Sequence, residues 1–376
     1  MSKLPFKTIK DLKIKDLKGK RVLVRVDFNV PLEEGKVVDE NRLLASLPTL
    51  NYLSSRGAKV LVISHLGRKG TETLAPVARA LENHIKIGFS KMIFDDERIK
   101  SLPNGSVLLL ENLRRHEEEE KNDKAFGKRL AGLADIYIND AFSASHRAHS
   151  SIVGVAKHLP SFAGLSFTKE YTELSKVNKA GHPFGLILGG AKFETKLPVI
   201  KKLLPRADFV FVGGALAHPL WRKLGYEIGK SLVDDGVKGL AEILKDKKIF
   251  LPIDVVVKTK DGRATKKPEA VGKQDNIQDA GPETLNLIAD KIEKAKFILW
   301  NGPLGNCEKN FTKGTDGVAE IIGKTGAYSV VGGGDTVAAI ERAHLSKNFS
   351  YLSTSGGAML EFIAKGTLPG VEVLIK

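Results

Sequence analysis

The sequence predicts an α/β protein of two domains, each a doubly wound parallel sheet. Three observations carry this. Short β-branched and leucine-rich runs alternate with helical stretches along all 376 residues. Most runs are continuously apolar, as in strands that helices bury on both faces. About ten such runs occur, more than one sheet of this class comfortably holds, and the length also suggests two domains.

The first half carries runs at Arg21–Asp27, Lys59–Ser64, Ser106–Glu111 and Asp135–Asp140. The second half carries Phe184–Leu188, Asp208–Val212, Ile249–Val257, Phe297–Trp300, Ser329–Val331 and Tyr351–Ser353. Between them lie helical spacings such as Leu43, Leu47, Leu50 and Leu53, or Leu197, Ile200 and Leu204. The joint is expected near Leu159–Ala180, a Pro/Gly stretch followed by a polar helical pattern. The acidic run Glu117–Glu120 reads as a solvated helix face.

Hydrophobic residues make up 42% and charged residues 27% of the chain, so a packed core is expected and wholesale disorder is not. The formal charge of +15 suggests anionic partners without choosing among them. A single cysteine, Cys307, excludes an intrachain disulfide and any zinc site of several Cys ligands. The basic N-terminus lacks the apolar run of a secretory signal, and no apolar stretch reaches membrane-spanning length. A cytoplasmic setting and no membrane partner are expected.

In the first half, basic and polar residues follow the strands. Asp27 ends the first run and Asn29 follows it, His65 and Arg68 follow the second, Arg114 the third and Arg147 the fourth. Doubly wound folds bind ligands at the carboxyl ends of their strands. These groups, with Arg42, can therefore converge on one crevice suited to a carboxylate or phosphate, which guanidinium binds in a bidentate fork. In the second half, glycines follow the strands: Gly189-Gly190, Gly213-Gly214, Gly302, Gly332-Gly333-Gly334 and Gly356-Gly357. Glycine lets a ligand approach the backbone, and a helix opening there offers free N–H groups to phosphate. Lys192 and Lys196 stand beside the first turn. Asp335 can cap a helix or hold a nucleotide-bound Mg²⁺. No P-loop, GxGxxG, HExxH or GxSxG pattern occurs. The histidines have no metal spacing, and Cys307 reads as an inert thiol.

These segments together resemble the phosphoglycerate kinase family. RVDFNVP (Arg25–Pro31), SHLGR (Ser64–Arg68), ENLR (Glu111–Arg114), HRAHSSIVGVA (His146–Ala156), GGAK (Gly189–Lys192), WNGPLG (Trp300–Gly305), GGGDT (Gly332–Thr336) and the terminal LPGV occur in that family's order. The chain is similar to a bacterial-type member over nearly its whole length. The resemblance implies two Rossmann-like doubly wound parallel-sheet domains joined by a hinge helix. Residues 1–168 would form the N-terminal glycerate-binding domain, with the tail 366–376 packing back on it. Residues 169–365 would form the nucleotide-binding domain, including a linker helix at about 169–179.

It implies reversible phosphoryl transfer between 1,3-bisphosphoglycerate and Mg-ADP, giving 3-phosphoglycerate and Mg-ATP. The glycerate ligands would be Asp27, Asn29, Arg42, His65, Arg68, Arg114 and Arg147. Arg42, Lys192 and the N–H groups of Gly356 and Gly357 would face the transferring group. Lys196, Gly190, Gly213, Gly214, Asn301, Pro303, Glu308, Gly333, Gly334, Asp335 and Thr336 would hold the nucleotide, with Asp335 on its Mg²⁺. Domain closure would bring the ligands together, with Leu165–Lys176 and the turn Ser353–Gly357 as hinges. A monomer is expected. The chain departs from the pattern at Ala215 and Ser355, where glycine is usual, and Ser355 is expected to stiffen the turn beside the phosphoryl path. Two other readings are an inactive scaffold of this family and a basic nucleic-acid binder. The second is disfavoured because aromatics are 7% and do not cluster with the lysines.

Overall fold

The computed structural model describes residues 4–375. Met1–Lys3 and Lys376, which the expected domain bounds include, lie outside the described residues. Two compact units divide the chain: residues 1–172 with 365–376, and residues 173–364. The helix Leu165–Ser175 carries the boundary.

The first unit holds a six-stranded parallel sheet. Its strands are β1 (Arg21–Arg25), β2 (Lys59–Ile63), β3 (Gly88–Phe89), β4 (Val107–Leu109), β5 (Ile136–Asn139) and β6 (Ser161–Ala163), in the spatial order β3-β4-β2-β1-β5-β6. The continuous apolar runs are explained by alternate residues facing two cores. Val22 and Val24 of β1 pack with Val60, Val62 and Leu50 on one face. Leu23 packs with Leu61, Leu108, Phe126 and Tyr137 on the other. Strand order reverses between β1 and β5, which opens a crevice at their carboxyl ends. The C-terminal tail belongs to this unit, where Gly370 N–H donates to the Ser145 carbonyl at 2.9 Å.

The second unit holds β7 (Phe184–Leu188), β8 (Phe209–Val212), β9 (Ile249–Phe250), β10 (Val255–Thr259), β11 (Gly262–Lys266), β12 (Asn276–Ala280), β13 (Phe297–Asn301), β14 (Tyr328–Gly332) and β15 (Tyr351–Ser353). Six of them form a parallel sheet ordered β9-β8-β7-β13-β14-β15, with the reversal between β7 and β13. Ile187, Phe211, Ile298, Trp300 and Val331 bury one of its faces.

The expected strand Ile249–Val257 is two strands. Leu251-Pro252-Ile253-Asp254 interrupts it, because proline cannot donate to a ladder. After the break, β10 leaves the parallel sheet and centres a separate antiparallel sheet, β11-β10-β12. Strands β11 and β12 carry no apolar run, and β11 is largely exposed, so they gave no buried-strand signal. Among the described residues no helix is long and apolar enough to cross a membrane.

Candidate functional site

In the first unit the crevice is built from side chains. Asp27, directly after β1, is 8% exposed. Its Oδ2 accepts from Arg42 Nη1 at 2.8 Å and from the Ser143 hydroxyl. Burial pushes this carboxyl up, but Arg42, His65, Ser143 and Arg25 outweigh it and hold the pKa at about 2. Arg42 projects from the helix Asn41–Ser54 and also donates to the Asn29 carbonyl at 3.0 Å. Asn29 Oδ1 accepts the Gly67 N–H at 2.9 Å, and the Gly67 carbonyl accepts from Arg114. The loops after β1, β2 and β4 are therefore tied through one glycine. Gly67 has φ +69, and a β-carbon there would collide with the Glu72 carboxylate.

His65, buried just after β2, receives a hydrogen bond on Nδ1 from Arg25 Nη2 at 3.1 Å. Its pKa is held well below 6.5 by burial first, against the pull of Asp27, and then by Arg25, Arg114 and Arg147. The ring is therefore neutral, and with Nδ1 accepting, Nε2 carries the proton. Arg68 is exposed beside Gly67. Arg147 is exposed on the loop after β5, where its Nε donates to His146 Nε2 at 3.2 Å. His146 Nδ1 in turn donates to the Ser143 carbonyl at 2.9 Å.

Beneath these lie buried groups that residue type alone does not mark as part of the site. Arg25 is 1% exposed, and its Nε donates to Ser151 Oγ at 2.9 Å. Ser151 donates from N–H and Oγ to Glu119, at 2.9 and 2.5 Å. Glu119 is 1% exposed, so the acidic run is not a solvated face throughout. Burial raises its pKa, against Arg25 and Ser151. The signal available in the sequence is Arg25, a charged residue flanked by the apolar Val24 and Val26. A buried ion there needs a partner.

In the second unit the site is built from backbone. A cavity of about 490 Å³ lies at the carboxyl side of β7, β8 and β13. The turns after those strands touch one another. Gly190 N–H donates to the Pro303 carbonyl at 2.8 Å, and Gly189 N–H to the Asn301 carbonyl at 3.0 Å. Gly190 has φ +95 and Gly214 φ +60, and a β-carbon on Gly189 would sit 2.2 Å from the Pro303 oxygen. Gly190, Gly214, Pro303, Cys307, Glu308 and Asp335 line the cavity, and so does Ala215.

Lys192 is exposed at the N-cap of the helix Phe193–Leu203. Lys196 lies one turn on, and burial lowers its pKa to about 8. Gly333 has φ +103 and caps the helix Gly334–Arg342, with Asp335 exposed in its first turn. Gly356 has φ +48 and precedes the helix Gly357–Lys365.

Two expected nucleotide residues are placed otherwise. Thr336 is fully buried, and its hydroxyl accepts the Gly302 N–H at 3.1 Å. Asn301 is 2% exposed, with its side chain against Met359. The Thr336 hydroxyl fastens the turn at Gly302, and neither residue is among those that line the cavity. Cys307 is half-buried, and burial raises its thiol pKa, which fits an inert thiol. Ser355 is buried, yet it is absent from the positive-φ residues Glu34, Asn122, Asn310 and His344. Its β-carbon therefore imposes no backbone strain on the turn. Among the described residues no cluster of three His, Cys, Asp or Glu could hold a metal ion.

The comparisons with known proteins agree across the chain. A phosphoglycerate kinase from Dictyoglomus turgidum is 45% identical over 390 residues, covering 98% of each chain. One from Thermus thermophilus is 44% identical, covering 98% of this chain and 99% of its own. Among solved structures, phosphoglycerate kinase from Pyrococcus horikoshii superposes with a TM-score of 0.89 at 33% identity. The Coxiella burnetii enzyme gives 0.84 at 35%, and each covers 98% of both chains. Residues 9–365 match phosphoglycerate kinase as a family, and to that family this chain belongs.

Proposed function

We propose how this chain performs its family's reaction, the reversible transfer of a phosphoryl group between 1,3-bisphosphoglycerate and Mg-ADP to give 3-phosphoglycerate and Mg-ATP. The chain is a phosphotransferase with a carboxyl group as acceptor. The observation that carries the residue roles is the crevice after β1, β2, β4 and β5. There a carboxylate at about pKa 2, a neutral His65 and the Arg42–Asn29–Gly67–Arg114 chain of bonds hold a cationic pocket in fixed geometry.

In this reading Arg68, Arg114 and Arg147 take the phosphate of the glycerate ligand, because guanidinium forks match its oxygens. Asp27 and Asn29 orient its hydroxyl. His65, fixed as an Nε2–H donor by Arg25, bonds the ligand without adding charge. Arg42 faces the carboxyl end. The glycine turns of the second unit accept the nucleotide, with Glu308 toward its ribose. Lys196 and the helix opening at Gly333–Gly334 meet the phosphates, Thr336 offering its backbone N–H.

Asp335 suits a magnesium ion that arrives on the nucleotide. Mg²⁺ prefers one or two carboxylates together with phosphates and water, and Asp335 is an exposed carboxylate lining the cavity in the first turn of the helix Gly334–Arg342. When bound, the ion neutralises phosphate charge. The chain's own contribution is to position the ligands and to place Arg42, Lys192 and the N–H groups of Gly356 and Gly357 where charge spreads over the transferring group. As the phosphoryl group passes from the acyl phosphate to the terminal oxygen of ADP, 3-phosphoglycerate departs as a carboxylate, so no acid catalyst and no covalent enzyme intermediate are needed. Donor and acceptor must come into line, and the helix Leu165–Ser175 and the turn at 353–357 are the segments assigned to that movement.

Residues 1–168 with the tail serve the glycerate, and 169–365 the nucleotide. The chain acts as a cytoplasmic monomer without a specific nucleic-acid partner.

A coupled assay with 3-phosphoglycerate, ATP and Mg²⁺ tests this. Lys192→Ala and Arg42→Ala are each expected to lower kcat by at least about 100-fold with the melting transition retained. Near-normal kcat in either variant removes that residue from charge sharing.

A further inference from the structure

One wall of the nucleotide cavity is polar in a way the reaction above does not require. Lys230, Asn276, Gln278 and Asn306 line it. A purine can be held between apolar faces alone, and buried amides are costly unless they bond.

A β-bulge places these groups. Where β10 pairs with β12, Val256 lies opposite Asp279 and Val257 opposite Ile277, so Gln278 has no partner across the ladder. Bulges re-aim side chains and are frequent beside active sites. The Gln278 carbonyl accepts the Asn306 N–H at 2.8 Å, and its Oε1 accepts from Asn306 Nδ2 at 3.1 Å. Gln278 Nε2 in turn donates to Asn276 Oδ1.

The direction of this chain of bonds matters. The side-chain oxygens of Gln278 and Asn276 are engaged, while the Asn276 amide hydrogens and one of Gln278 are left to offer. Lys230 stands beside them, since Gly229 bridges to Asn276 and Lys230 N–H donates to the Asp275 carbonyl at 2.7 Å. The Lys230 side chain is exposed. The wall is thus rich in donors.

A donor-rich wall fits an edge of acceptors. In guanine and hypoxanthine, O6 and N7 are adjacent acceptors that lysine commonly bonds, whereas adenine replaces O6 with an amino donor. Resting on the nucleotide reading of this cavity, we propose that Lys230 and the amides of Asn276 and Gln278 read the O6/N7 edge of a 6-oxopurine. The chain then takes guanine and hypoxanthine nucleotides at least as well as adenine nucleotides.

Calorimetry of the full chain with Mg-GDP, Mg-IDP and Mg-ADP tests this directly. Mg-GDP and Mg-IDP are expected to bind as tightly as Mg-ADP or tighter. Lys230→Met, a surface change, is expected to weaken GDP and IDP roughly tenfold more than ADP, and Asn276→Leu to act in the same direction. ADP binding roughly tenfold tighter than GDP overturns the assignment, as does an equal loss for all three nucleotides in Lys230→Met. GDP binding tightly while IDP falls below ADP would place recognition on the 2-amino group and also overturn it. Turnover with ATP in the coupled assay reports the proposed reaction separately. Its absence, with these base preferences intact, would strike the reaction and leave the base reading standing.

Discussion

The two units solve the same problem with different material. In the first, charged side chains make the crevice, and a second layer of bonds keeps them in place. Asp27 is fixed by Arg42 and Ser143, and His65 by Arg25, which is itself held through Ser151. In the second, glycine backbone makes the turns that front the cavity, and side chains behind those turns, such as Thr336, are pins. Thr336 holds Gly302, and three glycine turns lean on one another. The difference teaches where each site is vulnerable. A side-chain site loses affinity group by group, whereas a backbone site fails when any atom is added at a contact.

The largest effect expected from this contrast is at Gly189. Its added β-carbon would lie 2.2 Å from the Pro303 oxygen, which cannot yield as a flexible side chain would. Gly189→Ala should weaken Mg-ADP binding by more than about 100-fold and lower the melting temperature, as read by calorimetry and circular dichroism. Arg68→Ala, an exposed side chain of the first unit, should weaken 3-phosphoglycerate roughly tenfold and leave the melting temperature unaltered. Normal nucleotide binding by Gly189→Ala would erase the distinction.

A smaller effect sharpens the comparison through pH, because each unit holds a buried acid whose pKa is raised to about 7. Asp140 accepts the Phe167 N–H at 3.1 Å, and Asp279 accepts the Gly314 N–H at 3.0 Å. Burial, outweighing these bonds, raises each pKa from 3.8 to about 7. The folded chain keeps both protons up to about pH 7, while the unfolded chain loses them near pH 4. Folding therefore binds protons between these values, and stability falls as pH rises through that window. Each acid accounts for about 4 kcal/mol across it. Asp140→Asn and Asp279→Asn should each flatten the decline in melting temperature from pH 5 to pH 8. A variant whose decline matches the parent's would show that its acid is already ionised at pH 5.

The smallest effect concerns Ser355. The turn does not hold it at positive φ, so its β-carbon sits without backbone strain, although its buried hydroxyl has no hydrogen-bond partner. Ser355→Gly should keep kcat within about threefold of the parent. A tenfold rise would mean that the β-carbon does restrain the turn in the reaction.

Much of this was legible in the residues. Val22-Leu23-Val24 is apolar on both faces because both faces are buried, so β1 and its neighbours could be read directly. Glycines after strands announced the second unit's cavity, because few other residues tolerate the φ of Gly190 or Gly214. Arg25 and Glu119 were not legible as a linked pair. They lie far apart in the chain, and their tie through Ser151 exists only once β1 and the segment after β5 pack together. The antiparallel sheet is not legible for the opposite reason: β11 packs only one small apolar side chain, Ala264, against the core and lacks the pattern of a buried strand.

The sequence by itself therefore determined the two parallel sheets, the basic crevice and the glycine-lined turns, because apolar periodicity, charge and conformational freedom are properties of single residues and near neighbours. The tertiary structure decided which charges are buried, which tautomer His65 holds, that Thr336 is a pin rather than a wall, and that a bulge turns Gln278 toward the cavity. Those outcomes depend on desolvation and on hydrogen bonds between distant segments, which arise only when the chain has closed on itself.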